Sequence, residues 1–323
     1  MKKLVAVLMV SLFAASVFAA PALEISGTLN AGVRGEFNKE TQKVFMFSDD
    51  YDAEGVGAAL TLDGSYSDEN YGVEFEVGVE NTFFAFGYAY AWASLFDDVL
   101  SFKAGAISDD TWTTVGDQEL TFAEVTGLQL LISPFEGLNF GASLALISDS
   151  EDEIALAKNL AKSLAFGASY TGETISAQVG YSLADAGALY AGFGYEPENF
   201  FFAVDALMSA VTNYSEEGET IISETVSYAF NDAFALDLVC YQTLVKDANE
   251  FSFEPCANYA INDTFNAYFG LGFTLADTNN YYVQPGIEIA ISPNALINCY
   301  YELSGDVEGS LDNAIQLDFV WNF

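Results

Sequence analysis

The sequence contains no histidine and a single arginine, Arg34. Without histidine, a Ser-His-Asp triad, a Cys-His nucleophile pair and a histidine metal site are all excluded. Nine basic residues stand against 47 acidic ones, which gives a formal net charge of −38. Nucleic acid is repelled by such a chain, because its binding depends on lysine and arginine neutralising phosphates. We therefore expect no catalytic residues, no enzyme activity and no nucleic-acid partner.

Cysteine is equally scarce. Cys240, Cys256 and Cys299 are too few for a complete disulfide framework, and their spacing matches no metal site. Cys240 and Cys299 fall among apolar positions, where cysteine behaves as a small hydrophobe. Two acidic clusters offer the oxygen ligands that Ca²⁺ accepts, but neither has EF-hand spacing, so we expect no cofactor and treat them as solvated loop acids. The clusters are Asp49, Asp50, Asp52 and Glu54, and Asp149, Glu151, Asp152 and Glu153.

Long apolar runs are missing except at the N-terminus. Lys2 and Lys3 precede an apolar run from Leu4 to about Phe18, and small residues follow at Ala19 and Ala20. The run is too short for a spanning helix and is typical of a secretory signal peptide. We expect residues 1–20 to be removed and residues 21–323 to form one domain.

Hydrophobic residues are instead distributed in alternation. They make up 51% of the chain and aromatic residues 15%, which excludes a solvated acidic tail and calls for two segregated surfaces. Within 71–80, apolar side chains at Val73, Phe75, Val77 and Val79 alternate with Glu74, Glu76, Gly78 and Glu80. A period of two residues predicts a strand with one apolar and one polar face.

The aromatic stretch 82–96 shows the same period. Large residues at Phe84, Phe86, Tyr88, Tyr90 and Trp92 alternate with glycine and alanine, as one continuous apolar face. This pattern favours a strand over a short buried helix. The last residues repeat it, with Ile315, Leu317, Phe319, Trp321 and Phe323 on one face.

The connections between strands alternate in length. Short turns, such as Asp97-Asp98, Asn231-Asp232 and Asn262-Asp263, are separated by mostly longer polar segments near 107–125, 148–162, 209–218, 245–250 and 306–311. This is typical of an outer-membrane barrel, and we count about 16–18 strands, an even number being expected. Residues 39–54 are expected to form a polar loop, and 153–163 a loop or a short helix. Pro255 and Pro285 each predict a bulge or a strand end.

A final strand that alternates in this way and stops on phenylalanine resembles the recognition strand of bacterial outer-membrane β-barrels. Length, signal peptide and alternation over the mature chain resemble the general porins of Gram-negative bacteria. The resemblance implies an all-β, transmembrane antiparallel up-and-down barrel in the bacterial outer membrane. It also implies that Ile315–Phe323 contacts the barrel-assembly machinery and that the protein forms a homotrimer.

In that family the third external loop folds inward and narrows the channel. By loop order this is Ser108–Glu124, and the resemblance assigns its constriction loop the acids Asp109, Asp110, Asp117, Glu119 and Glu124. The family usually faces such a loop with a cluster of wall arginines. Here the single arginine puts that transverse field in doubt.

Charged residues in the polar phase of strands are expected to line the pore, because a charge on the lipid face is costly. The predicted pore-lining residues are Glu74, Glu76, Glu80, Asp205, Asp237, Glu254, Glu288, Glu302, Asp318, Arg34 and Lys103. Rings of acids favour the passage of cations. The alternative is that the same residues only hydrate the interior. Tyr190, Tyr268 and Tyr300 share this polar phase. They are candidates for stacking surfaces for a sugar or, as the simpler interpretation, for members of interfacial aromatic girdles.

These patterns together predict a porin for the passive diffusion of small hydrophilic solutes and ions, with a cation preference. The alternative is a plugged structural or adhesive outer-membrane barrel that acts through its external loops. A soluble secreted β-sandwich is disfavoured, because the apolar faces are too continuous and too aromatic.

Overall fold

The computed structural model describes residues 23–37, 42–47, 58–68, 70–80, 83–107, 115, 125–146, 163–183, 187–211, 218–246, 248–276, 278–307 and 309–323. Within these ranges, no helix has both the length and the apolar character needed to cross a membrane. The predicted signal peptide lies outside the described residues, as do both candidate calcium clusters and all but the last residue of the loop or short helix predicted for 153–163.

All regular structure in these ranges is β-strand. In chain order the strands are β1 Leu23–Phe37, β2 Gln42–Phe47, β3 Ala58–Asp68, β4 Tyr71–Glu80, β5 Phe83–Leu95, β6 Leu100–Ile107, β7 Val125–Phe135, β8 Leu138–Ala145, β9 Leu164–Thr171, β10 Ile175–Ser182, β11 Ala188–Tyr195, β12 Phe200–Met208, β13 Glu219–Asn231, β14 Phe234–Val245, β15 Asn249–Ala260, β16 Phe265–Leu275, β17 Asn280–Ser292, β18 Ala295–Asp306 and β19 Leu311–Asn322.

The strands form one antiparallel sheet that closes on itself where β1 pairs with β19. β2 and β3 lie end to end along the other edge of β1, opposite Gly32–Phe37 and Leu23–Ala31 respectively. They therefore share one position in the wall, and the barrel has 18 strands. The predicted fold class and the even strand number are confirmed.

The two faces of the wall differ in the way that the alternation predicts. Outward-facing positions carry most of the large exposed hydrophobic side chains, among them Phe102, Phe193 and Phe273. Inward-facing positions carry polar residues, and several of these, such as Gln129 and Gln316, are buried. Because paired residues in an antiparallel ladder point to the same side, the register assigns every described strand residue to one face.

The closing seam is tight at the end of the chain. The backbone amides of Gly27 and Phe323 each donate to the other's carbonyl oxygen at 3.0 Å. A β-carbon at Gly27 would lie 2.5 Å from the carbonyl oxygen of Thr61 and 2.8 Å from the Phe323 ring. Glycine at this position therefore lets the terminal aromatic side chain lie against the seam.

Short turns join the strands at one end of the barrel, and asparagine shapes two of them. The Asn231 side chain accepts hydrogen bonds from the amides of Ala233 and Phe234. Asn262 does the same for Thr264 and Phe265. Such side-chain turns explain why Asn-Asp pairs mark these reversals so clearly in the sequence.

Two predictions about chain interruptions are wrong. Pro255 and Pro285 lie inside β15 and β17, and the ladders with β16 and β18 skip each proline and the residue before it without a change of register. Each proline omits a donor locally while the hydrogen bonds on both sides hold the strand in line. The segment 39–54 also contains β2, which pairs with the preceding strand β1 from Phe37 opposite Gln42 to Gly32 opposite Phe47, so the expected polar loop is in part a strand.

The contrast in loop length is weaker than the sequence suggests. The connections after β14, β16 and β18 span only 246–248, 276–279 and 307–310, about as short as the turns at the other end. The longer connections of this end are concentrated between β6 and β13. When all connections at this rim are counted in chain order, whatever their length, 108–124 is the third, after 38–41 and 81–82.

A β-bulge in β5 overturns the single aromatic face expected for 82–96. The register between β4 and β5 shifts between Phe75 and Val77, opposite Ala89 and Phe86. The backbone alternation therefore changes phase within β5. As a result Tyr88, Tyr90 and Trp92 point into the barrel, although their spacing alone places them on the same face as Phe84 and Phe86.

Candidate pore lumen

The predicted pore-lining residues share the inward phase of the barrel. Ladder pairs connect them from strand to strand, for example Asp318 with Asn298 and Asn298 with Glu288. The complete set by register is Arg34, Glu74, Glu76, Glu80, Lys103, Asp205, Asp237, Glu254, Glu288, Glu302 and Asp318. For Glu80 only the backbone is described, so nothing follows about its carboxylate.

Tyrosine hydroxyls hold two inward carboxylates on the wall formed by β3, β4 and β5. The Tyr88 hydroxyl donates to Asp63 at 3.1 Å, and the Tyr90 hydroxyl donates to Glu74. A tyrosine hydroxyl is a neutral donor, so it fixes the carboxylate in place without cancelling its charge.

The wall formed by β14–β17 repeats this arrangement with amides. Asn258 donates to Asp237 at 2.6 Å and Asn266 donates to Glu288 at 2.8 Å. The Tyr282 hydroxyl donates to Glu254 at 3.1 Å. Five carboxylates on two walls of the lumen are thus oriented by uncharged partners.

Arg34 is an inward base that forms two ion pairs with described residues. Its guanidinium contacts Glu36 at 3.2 Å and Glu302 at 3.3 Å, and it donates to Gln316 at 3.0 Å. Two carboxylates therefore contact this one guanidinium.

Lys103 on β6 contacts an aromatic ring. Its ammonium nitrogen lies 5.1 Å from the centre of the Tyr90 ring, whose hydroxyl binds Glu74. The ring face of Tyr90 thus contacts the cation, while the hydroxyl of the same residue binds the carboxylate.

The third loop contacts the inner wall at the one residue of 108–124 that the structure describes. Val115 is buried, and its carbonyl oxygen accepts a hydrogen bond of 2.5 Å from the Tyr190 hydroxyl. Its side chain lies against Gly192 and Gly194 on the inward face of β11. Asp109, Asp110, Asp117, Glu119 and Glu124 lie outside the described residues, so their role at a constriction stays a prediction.

The inward face near this contact is covered. Asp205 on β12 is 2% exposed, and the fully buried Tyr190 packs with Ala165, Leu131 and Leu207. Asp318, across the barrel, is 1% exposed. These two acids therefore lie on the inner wall, but their side chains are covered and not exposed to the lumen. Glu74, Glu254 and Glu288 are only partly covered.

The barrel is similar in structure to outer-membrane proteins of two Gram-negative genera. OpdL of Pseudomonas aeruginosa has a TM-score of 0.64 and 12% identity, over 93% of this chain and 98% of that one. For the outer membrane protein OpdK of the same organism the values are 0.62, 10%, 94% and 98%. For OccAB3 of Acinetobacter baumannii they are 0.59, 8%, 93% and 99%. No family model and no curated protein sequence matches the chain.

The fold is that of an outer-membrane porin. At identities of 8–12% the likeness shows the fold, and the functional residues must be argued from this chain alone. The predicted resemblance to porins and the outer-membrane barrel are confirmed at that level. Porins of this fold are channels and not enzymes.

The strand register also gives the orientation of the three tyrosines. Tyr190, Tyr268 and Tyr300 all face inward, as predicted, but Tyr190 is fully buried and Tyr300 is 7% exposed. The Tyr268 hydroxyl donates to Asn298 at 3.0 Å. They are not part of an outer aromatic girdle, and two of them present no open face for stacking.

Metal binding finds no support in the described part of the chain, where no group of three or more potential ligands meets. All three cysteines are free. Cys240 and Cys299 face outward, as their apolar phase predicts, whereas Cys256 faces inward near Asn258.

Three features of the lumen were not predicted from the sequence. Asp63 lies in a short alternating segment next to Leu62, and only the register with Glu76 assigns it to the wall. Tyr88 and Tyr90 were hidden by the bulge in β5. Val115 has no pattern around it, so no sequence signal could have identified its contact with Tyr190.

Proposed function

We propose that the protein is a passive outer-membrane channel for small hydrophilic solutes, with a preference for cations. The observation that carries the proposal is the set of inward carboxylates held by neutral donors. Asp63, Glu74, Asp237, Glu254 and Glu288 each keep a charge that their tyrosine or asparagine partner does not neutralise. Fixed negative charge in a low-dielectric bore attracts cations and repels anions.

The size of the barrel supports an open pathway. Barrels of 16–18 strands generally leave room for an aqueous channel, whereas eight-stranded barrels are filled by side chains. A related P. aeruginosa protein, OpdK, has been crystallised with vanillate, a carboxylate. The inward bases described here, Arg34, Lys43 and Lys103, are outnumbered by acids, which favours cationic over anionic solutes in this chain.

A plugged barrel that acts through its external loops is the second candidate. It is favoured by the covered inner wall around Tyr190, Asp205 and Val115. The two candidates differ in whether a continuous water path passes that contact. Current through the inserted protein distinguishes them directly.

The test is single-channel recording of refolded protein in a planar bilayer with a KCl gradient. We expect current steps and a cation-selective reversal potential. Glu74→Gln and Glu288→Gln should each lower the permeability ratio of K⁺ to Cl⁻, and Lys103→Glu should raise it. Glu136→Gln, in a turn outside the strands, is the matched control and should leave the ratio unchanged.

Silent protein that is correctly inserted would contradict the channel and favour the plugged barrel. If the protein conducts but its reversal potential is the same in wild type and in all three inward variants, the channel stands and the proposed mechanism of selectivity is wrong. Contact between Ile315–Phe323 and the barrel-assembly machinery, and assembly into a trimer, belong to the same proposal.

A further inference from the structure

The outer wall of the barrel carries one charge where a membrane protein is expected to have none. Glu224 lies near the middle of β13, paired with Val204 on one side and Cys240 on the other. Both partners face outward, so Glu224 faces outward as well. Across the described strands it is the one charged residue at an outward position away from a strand end.

A polar neighbour accompanies it. Gln242 on β14 pairs with Ile222 and therefore also faces outward, diagonally across the ladder from Glu224. Diagonal neighbours on one face of an antiparallel pair lie within reach of long side chains. Glu224, Gln242 and the Cys240 between them define an outer polar patch at membrane depth.

The patch is unsatisfied within the described part of the chain. Glu224 and Gln242 make no hydrogen bond or ion pair there, whereas the comparable inward acids Asp237, Glu254 and Glu288 all do. A charged side chain on the lipid face destabilises a barrel most strongly at the midplane. An uncovered carboxylate at this depth is therefore unfavourable.

One edge of the patch carries a small outward residue. Ala206 on β12 pairs with Ile222 and lies beside Glu224, whereas at the other edge Phe251 and Phe253 of β15 pair with Gln242 and Cys240. Small residues are typical of close contacts within membranes because they let two backbones approach.

Charge and hydrogen-bonding complementarity identify the occupant. A carboxylate only accepts hydrogen bonds, and a carboxamide donates two, so the patch contains both halves of a pair. The described basic side chains Arg34, Lys43 and Lys103 face inward, and Lys246 lies beyond the end of β14. A second copy of this chain therefore offers Gln242 as its donor at this depth.

We infer that the outer polar patch is a self-association surface, on which Glu224 of one copy accepts a hydrogen bond from Gln242 of another. Two-fold symmetry makes the contact reciprocal, and three-fold symmetry makes it a closed ring. The inference rests on the part of the proposed function that concerns assembly, for which it supplies a contact surface. It is independent of conduction through the lumen, so a silent barrel would not contradict it and a monomeric channel would contradict only the association.

Two leucine variants of the full barrel, Glu224→Leu and Gln242→Leu, test the inference by light scattering in detergent. We expect wild-type oligomers and about tenfold or greater weakening in each variant, because a hydrogen bond to a carboxylate is lost at every contact. The exchange Glu224→Gln with Gln242→Glu should restore association, since donor and acceptor only trade places. Thr126→Leu, which removes an outward polar group elsewhere, is the control.

Cross-linking in membranes provides a second readout. In a background with the three cysteines replaced by alanine, Val226→Cys next to the patch should cross-link between copies. Val77→Cys on the opposite wall should not. A shift in electrophoretic mobility on heating verifies that each variant is a folded barrel.

Several results would overturn the inference. These are a monomeric wild-type protein, leucine variants that associate as strongly as wild type, or an exchange variant that stays monomeric. Cross-linking of Val226→Cys to a different protein would assign the patch to that partner instead.

Discussion

Single hydroxyl and amide groups determine how much of the acidic charge in the lumen stays effective. Had arginine held Asp237 or Glu288, each charge would be paired and its field over the bore reduced. Asparagine instead supplies a hydrogen bond that stabilises the carboxylate and leaves its charge intact. The sequence shows the abundance of acids and the scarcity of bases. It does not show which acid meets which neutral donor, because the partners are far apart in the chain.

The hydrogen bond from Tyr190 to Val115 is a residue-scale contact with a measurable consequence. Tyr190→Phe keeps the packing of the ring and removes a hydrogen bond worth about 0.5–1.5 kcal/mol. The third loop should then leave the wall of β11 roughly two to ten times more often. We expect more frequent current fluctuations in single-channel recordings, with unchanged thermal stability of the barrel.

The matched control is Tyr268→Phe, which loses a hydroxyl that binds Asn298 but does not contact Val115. Fluctuations that rise equally in both variants would indicate a general loosening of the inner wall. Unchanged fluctuations in Tyr190→Phe would show that this hydrogen bond does not hold the loop.

The positions of the strands were predicted well from the sequence, whereas the details of their pairing were predicted poorly. The alternation of Tyr71–Glu80 and of the final strand predicted both the structure and the face of each residue. The bulge in β5 could not be read in the same way, because it depends on how Glu76 fits against a neighbouring strand. The bulge or strand end predicted at the prolines of β15 and β17 was wrong for a related reason, since long ladders on both sides compensate for one missing donor.

The seam between β1 and β19 gives a prediction at the scale of elements. Gly27→Ala places a methyl group against the Thr61 carbonyl and the Phe323 ring, and a backbone atom must move to accommodate it. Overpacking of this kind costs about 1–3 kcal/mol. We expect a lower urea midpoint and a lower yield of refolded barrel.

Gly270→Ala provides the comparison, because the nearest atom to its new methyl group would lie at 3.7 Å, an ordinary contact. Both variants change one strand glycine to alanine, so the difference between them isolates the seam. Equal unfolding midpoints would mean that the seam tolerates the extra atom and that the Gly27–Phe323 contact is not tight in solution.

At the scale of the whole molecule, the outward apolar wall and the inward acidic wall explain how a chain of net charge −38 folds as a barrel. The sequence predicted this segregation, because a period of two residues assigns every second side chain to one face. It also led us to expect all charges on strands to face inward. Glu224 departs from that rule, and only the register of β13 with β12 and β14 reveals it.

The same segregation predicts how selectivity depends on salt. Fixed carboxylates act on a permeating ion through a field that mobile ions screen, over about 10 Å at 0.1 M salt and about 3 Å at 1 M. Partners such as Asn266 and Tyr282 do not neutralise these charges, so screening should be the main factor that weakens them. We expect the permeability ratio of K⁺ to Cl⁻ to fall toward one as KCl rises from about 0.1 M to about 1 M. Glu74→Gln combined with Glu288→Gln should flatten that dependence, whereas Glu136→Gln should follow wild type. A ratio independent of salt would mean that ions are selected by close contact at a narrow point and not by the field of the lumen.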